Sequence, residues 1–310
     1  MAVFTTFKSE SLARHLIMYD QGELGQFKPI DSGIENSNYF VSLINEQGGQ
    51  SEFVLTITEN ISFDEMPFFN SLMSHLFHYG LPVPNPQSTL DGMTGTSFCG
   101  KPTVLVPKLP GDHPVTLTTE QCHTIGIKLA ELHEAAQGVR YHRSNPYSSQ
   151  WVNSSLDDVQ DRLTDKDRSL LQQIATQYAE LESAEQKDLP RGIIHGDLFR
   201  DNALFVGEKL TGIIDFYHAC EDFLVQDIAI TINDWCTSPE GDFDAERQDA
   251  LLKGYHRVRE LTKKEKEQLP GFQQFAALRF ILTRLLSGGD NDPLKDPEEI
   301  LRIARQLYKQ

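Results

Sequence analysis

Two apolar runs, Ala203–Val206 and Leu210–Ile214, flank the turn Gly207-Glu208-Lys209, and this hairpin constrains the chain more than any other feature. Paired antiparallel strands return to the edge they left, so the residue before the first strand meets the residue ending the second. Asn202 and Asp215, thirteen positions apart, are therefore expected side by side. Directly upstream stands the run His195-Gly196-Asp197-Leu198-Phe199-Arg200-Asp201-Asn202. Phosphoryl transfer to a hydroxyl needs a carboxylate that orients the acceptor and takes its proton. It also needs hard oxygen ligands that hold Mg²⁺ against the phosphates. Asp197 suits the first task, and Asn202 with Asp215 suits the second. His195 reads as support for the loop backbone, and Asp201 stays open between a supporting residue and a rival metal ligand.

The texture on either side of Gly111 differs. Residues 1–110 are expected to form a nucleotide-binding lobe with its hinge, and residues 111–310 a helical lobe with the catalytic loop and acceptor site. In the first part, Asn38–Ile44 and Glu52–Thr58 alternate as a hairpin about Glu46–Gly49. Phe68, Phe69, Leu72, Met73, Leu76 and Phe77 recur at helical spacing within Asp64–Tyr79, and Gly80 ends that helix. The prolines of Leu81–Pro86 force an extended connection, and Thr103–Val106 reads as a further strand. In the second part Thr118 is placed to cap a helix running to Gln137. Further helices are expected over Asp157–Ser183, Val225–Trp235, Asp244–Glu260, Phe272–Leu286 and Pro297–Leu307. The fold class is thus α+β: an N-terminal antiparallel sheet with one helix, then a larger, mainly helical lobe.

Composition bounds the partners. A formal charge of −17 over 310 residues weighs against nucleic acid or an anionic membrane as the main partner. No stretch approaches the length of a membrane span, and the N-terminus has no long apolar run of the signal-peptide kind. Cys99, Cys122, Cys220 and Cys236 are scattered, which reads as buried reduced thiols and a cytoplasmic location. Other patterns carry little: His75 and His78 lack a third ligand, His133-Glu134 lacks a second histidine, and Gly288–Asp292 reads as a surface turn.

The run H-G-D-L-x-x-D-N with Ile213-Ile214-Asp215-Phe216 resembles the aminoglycoside phosphotransferase and choline kinase superfamily, distant relatives of protein kinases. More narrowly, Gly33–Phe40, Phe53–Glu59 and Ile214–Phe223 resemble the bacterial homoserine kinases of that fold. The likeness extends from Leu12 to the helix around Arg279, and it implies a protein-kinase-like two-lobe architecture using ATP and Mg²⁺. On this resemblance Gly33–Phe40 would cover the triphosphate, with Ser37 and Asn38 as contacts. Val106, Lys108 and Leu109 would lie in the hinge that receives the adenine edge. Thr56 stands where the wider fold commonly carries a phosphate-pairing Lys or Arg. Glu59 and Glu65 cannot be assigned as partners of such a cation, which leaves the metal, Lys108 or Arg200 to offset the charge.

The resemblance implies a small-molecule acceptor, with L-homoserine favoured. Its ammonium and carboxylate would need an acid and a cation or helix N-terminus. Arg200, Tyr217, Glu221, Asp222 and Asp234 are the candidates, and Arg140 and Arg143 read as surface residues. Another kinase of the superfamily, acting on an aminoglycoside, choline, methylthioribose or protein Ser/Thr, stays open as the alternative. An inactive nucleotide-binding scaffold, motivated by the uncharged Thr56, is the reading from a different class. Oligomeric state is not legible.

Overall fold

The computed structural model describes residues 4–30, 35–182, 188–238, 240–287 and 296–308. Gly33 and the turn read at Gly288–Asp292 lie outside the described residues. The fold is α+β, as expected, and the chain divides into two compact units.

The first unit comprises Met1–Gly111 with the short segments Gly138–His142 and Thr211–Ile214. Its elements are α1 (Ser9–Leu16), β1 (Glu23–Pro29), β2 (Asn36–Ile44), β3 (Gln50–Thr58), α2 (Met66–His78), β4 (Thr96–Phe98) and β5 (Lys101–Pro107). The strands form one antiparallel sheet in the order β1-β2-β3-β5-β4. Alternation sorts its faces. Tyr39, Val41, Leu43, Phe53, Leu55, Ile57 and Leu105 join Leu12, Leu16 and Tyr19 in a buried core. Each such side chain stabilises the fold by about 1.5–3 kcal/mol relative to exposure. Asn38, Phe40, Val54, Thr56, Val104 and Val106 take the alternate positions, with Asn38 opposite Thr56 and Val54 opposite Val106. Three elements of this unit were not foreseen. Helix α1 is short and starts without a side-chain cap. Strand β1 is largely exposed, with Gly25 at a bulge and Pro29 at its end, as suits an edge strand. Strand β4 has only three residues.

The second unit comprises Asp112–Gln137, Arg143–Leu210 and Asp215–Gln310. Along the chain follow α3 (Thr119–Ala136), α4 (Ser149–Val159), α5 (Asp165–Glu182), β6 (Arg191–Ile194), β7 (Ala203–Val206), β8 (Lys209–Ile213), β9 (Cys220–Phe223), α6 (Leu224–Trp235), α7 (Ala245–His256), α8 (Lys263–Leu286) and α9 (Pro297–Leu307). Strands β7 and β8 make the expected hairpin, and β6 pairs antiparallel with β9. Thr118 caps α3 through a reciprocal box with Gln121. Helices α4, α5, α8 and α9 share one apolar core, from Val152 and Leu171 to Leu278 and Ala304.

The helix expected over Asp157–Ser183 is two helices. The chain leaves α4 at Val159, turns through Gln160–Arg162, and restarts where the Thr164 hydroxyl accepts from the Asp167 amide at 3.2 Å. Asp167 cannot leave that place, because Arg305 of α9 grips its carboxylate at 2.8 and 2.9 Å. The helix expected to begin at Phe272 begins at Lys263 and runs through Pro270, its start fixed by a capping box of Thr262 and Glu265. Among the cysteines, Cys122, Cys220 and Cys236 are buried thiols, whereas Cys99 is exposed at positive φ. No helix among the described residues is long and apolar enough to cross a membrane.

Helices α3 and α7 touch backbone to backbone. A Cβ on Gly126 would come within 2.0 Å of the Leu251 carbonyl oxygen, and one on Gly254 within 2.0 Å of the His123 carbonyl oxygen. Gly271 of α8 differs, since an added Cβ would meet only Leu181 Cδ1 at 3.5 Å. A helical Gly→Ala exchange gains up to about 1 kcal/mol from propensity, whereas overpacking costs about 1–3 kcal/mol or more. Gly126→Ala is therefore expected to lower the urea midpoint followed by far-UV circular dichroism. Gly271→Ala is expected to raise it slightly.

Candidate active site

Strand β6 ends at Ile194, and the chain then turns through His195-Gly196-Asp197 under the control of α6. Asp227, in the first turn of α6 and fully buried, accepts the His195 amide at 2.7 Å and the Gly196 amide at 2.9 Å. His133 of α3 donates its Nε2 proton to the same carboxylate at 3.0 Å. Arg259 donates to the Tyr255 hydroxyl, so that hydroxyl is free to donate in turn to His133 Nδ1 at 2.8 Å. Burial raises the Asp227 pKa, but His133 and the loop amides outweigh it, and the carboxyl is held below its ordinary value. Gly196 has φ +76°, and a Cβ there would lie 2.7 Å from the His218 carbonyl oxygen, so only glycine fits.

Asp197 follows directly. Its amide donates to His195 Nδ1 at 3.2 Å, which gives His195 a supporting role, and the His195 ring packs on Phe216. Asn202 closes the loop: its Nδ2 donates to the Asp197 carbonyl at 2.8 Å and to Asp197 Oδ2 at 3.0 Å. The amide thus fixes one oxygen of the carboxylate and leaves Asn202 Oδ1 on its other side. Burial raises the Asp197 pKa, His218 and Arg279 oppose it, and the negative Asp201 and Asp215 reinforce it, for a value of about 7. Asp215 ends the hairpin in the left-handed region at φ 64°, an exposed position that costs a non-glycine residue roughly 1 kcal/mol.

The other expected site residues fall into distinct settings. Arg200 lies against Asp234, its amide 2.7 Å and its Nε 3.3 Å from that carboxylate, with Nη2 3.6 Å from Glu299. Burial raises the Asp234 pKa to about 6. Both residues line a cavity with Phe199, Asn233, Phe280 and Glu299. Asp222 is buried in β9, accepting from Asn145 and from the Phe223 amide at 2.7 Å each, which gives it a bracing role. Glu221 is half-buried in the same strand, and Tyr217 is half-buried on the turn after Asp215.

In the first unit the Ser37 hydroxyl is fully buried. It accepts the Phe4 and Thr5 amides at 2.9 Å each and donates to Glu59 at 2.6 Å. Glu59 also pairs with Lys101. Thr56 donates its hydroxyl proton to Asn38 Oδ1 at 2.7 Å, a neutral pair on the face opposite the core. Val106 is buried in β5 and Leu109 is half-buried beyond it. Lys108 pairs with Glu52 at 2.7 Å and lies over the Phe40 ring. The two cations weighed as substitutes for a phosphate lysine, Lys108 and Arg200, both stand against carboxylates.

No group of three or more His, Cys, Asp or Glu side chains among the described residues is arranged to hold a metal ion. Mg²⁺ asks for less, taking one or two carboxylates with phosphates and waters. Asn202 Oδ1 and Asp215 fit that demand. The mutual repulsion of Asp197, Asp201 and Asp215 is what a divalent cation relieves.

Sequence reasoning missed four residues that build this site: Asp227, His133, Arg279 and Tyr147. The signal for the first lay in α6, where Asp227, Asp234 and Trp235 stand at i, i+7 and i+8 on one face, and all three bond the loop Gly196–Arg200 or its start.

The raised Asp197 pKa predicts a pH effect on stability. Between the ordinary value of 3.8 and about 7 the folded chain holds a proton that the unfolded chain releases. Stability is therefore lost as pH rises through that window. Asp197→Asn, neutral throughout, is expected to be the more stable protein at pH 8 by about 1–2 kcal/mol, less than the full shift because water reaches the half-buried group. The advantage should vanish near pH 4 in denaturant titrations of both proteins.

Residues 26–261 match the model of the phosphotransferase enzyme family. Homoserine kinase of Pseudomonas aeruginosa is 39% identical, covering 99% of this chain and 96% of the relative. Homoserine kinase of Sinorhizobium medicae is 38% identical over 98% of this chain and 94% of its own. Among solved structures, an amicoumacin kinase in complex with AMP-PNP, Ca²⁺ and Ami superposes with a TM-score of 0.74 at 17% identity, covering 98% of this chain and 93% of that one. A spectinomycin phosphotransferase in complex with ADP and its antibiotic gives 0.65 at 15% identity, over 99% and 100%. The chain belongs to the phosphotransferase enzyme family and is a small-molecule kinase with an alcohol acceptor.

Proposed function

We propose that this kinase transfers the γ-phosphoryl group of ATP to the side-chain hydroxyl of L-homoserine, giving O-phospho-L-homoserine for threonine biosynthesis. The observation that carries the choice of acceptor is the 39% identity to homoserine kinases across 99% of the chain. The amicoumacin kinase and the spectinomycin phosphotransferase share the fold at far lower identity and speak to the fold alone.

Asp197 is the base. Asn202 holds Oδ2, which leaves Oδ1 to accept from the acceptor hydroxyl and to take its proton as the new O–P bond forms. A pKa of about 7 matches that task near neutral pH, where the group is poised between holding and releasing a proton. Asn202 Oδ1 and Asp215 would hold Mg²⁺, which supplies positive charge to the phosphates. In the first unit, Asn38 and Thr56 would contact the phosphates, with Gly33 in the covering loop. Val106, Lys108 and Leu109 would border the adenine, Lys108 through its backbone because its side chain is paired with Glu52. Ser37, whose hydroxyl is taken up by the Phe4 and Thr5 amides and Glu59, would contact the nucleotide through its backbone.

ADP release with L-homoserine, choline and kanamycin tests the acceptor. Turnover is expected with homoserine, and activity on choline or kanamycin with none on homoserine would refute the proposal. Asp197→Ala should lower kcat by about 10²–10⁴, roughly 3–5 kcal/mol of barrier, with nucleotide affinity kept. Asp215→Ala should instead abolish tight Mg-ATP binding in calorimetry while the fold persists.

A further inference from the structure

Arg279, in the middle of α8, is 3% exposed, and its guanidinium lies over two aromatic rings, 4.0 Å from the Tyr147 centroid and 4.5 Å from that of Phe280. Nη1 donates to the carbonyl of Gly196, the residue before Asp197. Nε and Nη2 are also buried, yet they have no hydrogen-bond partner among the described residues. These two nitrogens share one edge of the planar group, the edge that grips a carboxylate with two parallel hydrogen bonds. Leaving charged donors buried and unspent is costly, so the arrangement needs a reason.

Bracing the loop does not supply one. The bond to Gly196 uses Nη1 alone and leaves the opposite edge unexplained. The other guanidiniums nearby have plain occupations. Arg200 is engaged by Asp234 and Glu299, and Arg143 donates to the Ala219 carbonyl at 3.1 Å. The walls around Arg279 also belong to the reaction centre. Tyr147 shares a hydrogen bond with His218 Nδ1 at 3.0 Å, and both His218 and Arg279 act electrostatically on Asp197. The guanidinium, walled by Tyr147 and Phe280, is thus bonded to the residue that precedes Asp197.

We propose that the Nε–Nη2 edge of Arg279 binds the α-carboxylate of the acceptor amino acid, with Tyr147 and Phe280 as the flanking walls, and so sets the specificity for an amino-acid substrate. This rests on the reading of the acceptor as homoserine, and it deepens that reading by naming the group that recognises the carboxylate. Arg279 is unlike the bases and ligands of the catalytic loop in that its task ends with the ground-state complex. Its loss should appear in KM more than in kcat.

The test compares L-homoserine with L-homoserinamide, in which the carboxylate is neutral, on the wild-type enzyme, Arg279→Lys and Arg279→Gln. The wild type is expected to favour homoserine by about 30- to 5,000-fold in kcat/KM, the range for removing one partner of a buried charge pair. Arg279→Gln should raise the homoserine KM by a similar factor, whereas the amide, which cannot use the guanidinium edge, should lose only what the bond to Gly196 and the charge acting on Asp197 supply to both acceptors. Arg279→Lys, which keeps charge but not the planar edge, should fall between. Equal losses on both acceptors would assign Arg279 to the fold alone and overturn the proposal. Should both variants fail to fold by circular dichroism, the wild-type comparison decides, since equal use of acid and amide refutes a carboxylate site. A wild-type enzyme that phosphorylates another alcohol and neither of these would refute the homoserine reading itself, a different result from equal use of both.

Discussion

The carboxylate of Asp227 has no access to water, and the catalytic loop is built around that fact. An ionised group so placed is tolerable only if its oxygens are filled, because desolvation of a lone charge costs several kcal/mol. Two backbone amides from His195 and Gly196 and one imidazole from His133 fill them. The dependence runs both ways. The loop conformation that presents those amides is the one that keeps the charge buried, so the turn preceding Asp197 has little freedom to move. Beyond His133 the chain of bonds continues through Tyr255 to Arg259 and on to buried Glu265, so α3, α7 and α8 share in holding one turn of backbone.

Helix α6 acts as the spine of the site. Its first turn supplies Asp227, and its last supplies Asp234 and Trp235, which bind the Arg200 amide and the Leu198 carbonyl. Asp197, the base on the reading proposed here, is left to a lighter hold. Asp197 is latched by a single side-chain amide from Asn202 and stands near other negative charges. That division is physically sensible: a base must keep a responsive pKa, so it cannot be neutralised as Asp227 is, whereas the scaffold under it must be rigid. Burial acts on both residues, and their pKa values move in opposite directions because one is fully paired and the other is not.

Much of this was legible in the sequence where local rules govern. The hairpin of β7 and β8 follows from two apolar runs about a glycine turn, and it brings Asn202 and Asp215 to one edge without knowledge of the fold. Helix α3 follows from its cap and periodicity. What escaped were features whose cause lies far along the chain. Strands β6 and β9 are four residues each and find one another across 25 intervening residues, a pairing no local pattern announces. The break between α4 and α5 hinges on Thr164 and Asp167, a short polar signal inside an otherwise helical stretch. Arg279 was invisible for the opposite reason: arginine in a helix is ordinarily an exposed residue, and only its burial beside Gly196 marks it out.

The uncharged Thr56 takes on a different meaning once the cations are placed. In the first unit Lys101 pairs with Glu59 and Lys108 with Glu52, and in the second Arg200 stands between Asp234 and Glu299. A chain of net charge −17 has occupied these basic groups with its own carboxylates. Thr56 is bonded to Asn38, so that neutral pair can offer hydrogen bonds to a phosphate and no charge. On the reading proposed here, the positive charge must arrive with the nucleotide, as its Mg²⁺, and Asp215 and Asn202 exist to receive it. The repulsion among Asp197, Asp201 and Asp215 then serves a purpose. Added to burial, the larger effect, it holds the pKa of the base at about 7, and a divalent cation held by Asp215 would favour the deprotonated carboxylate that accepts the hydroxyl proton.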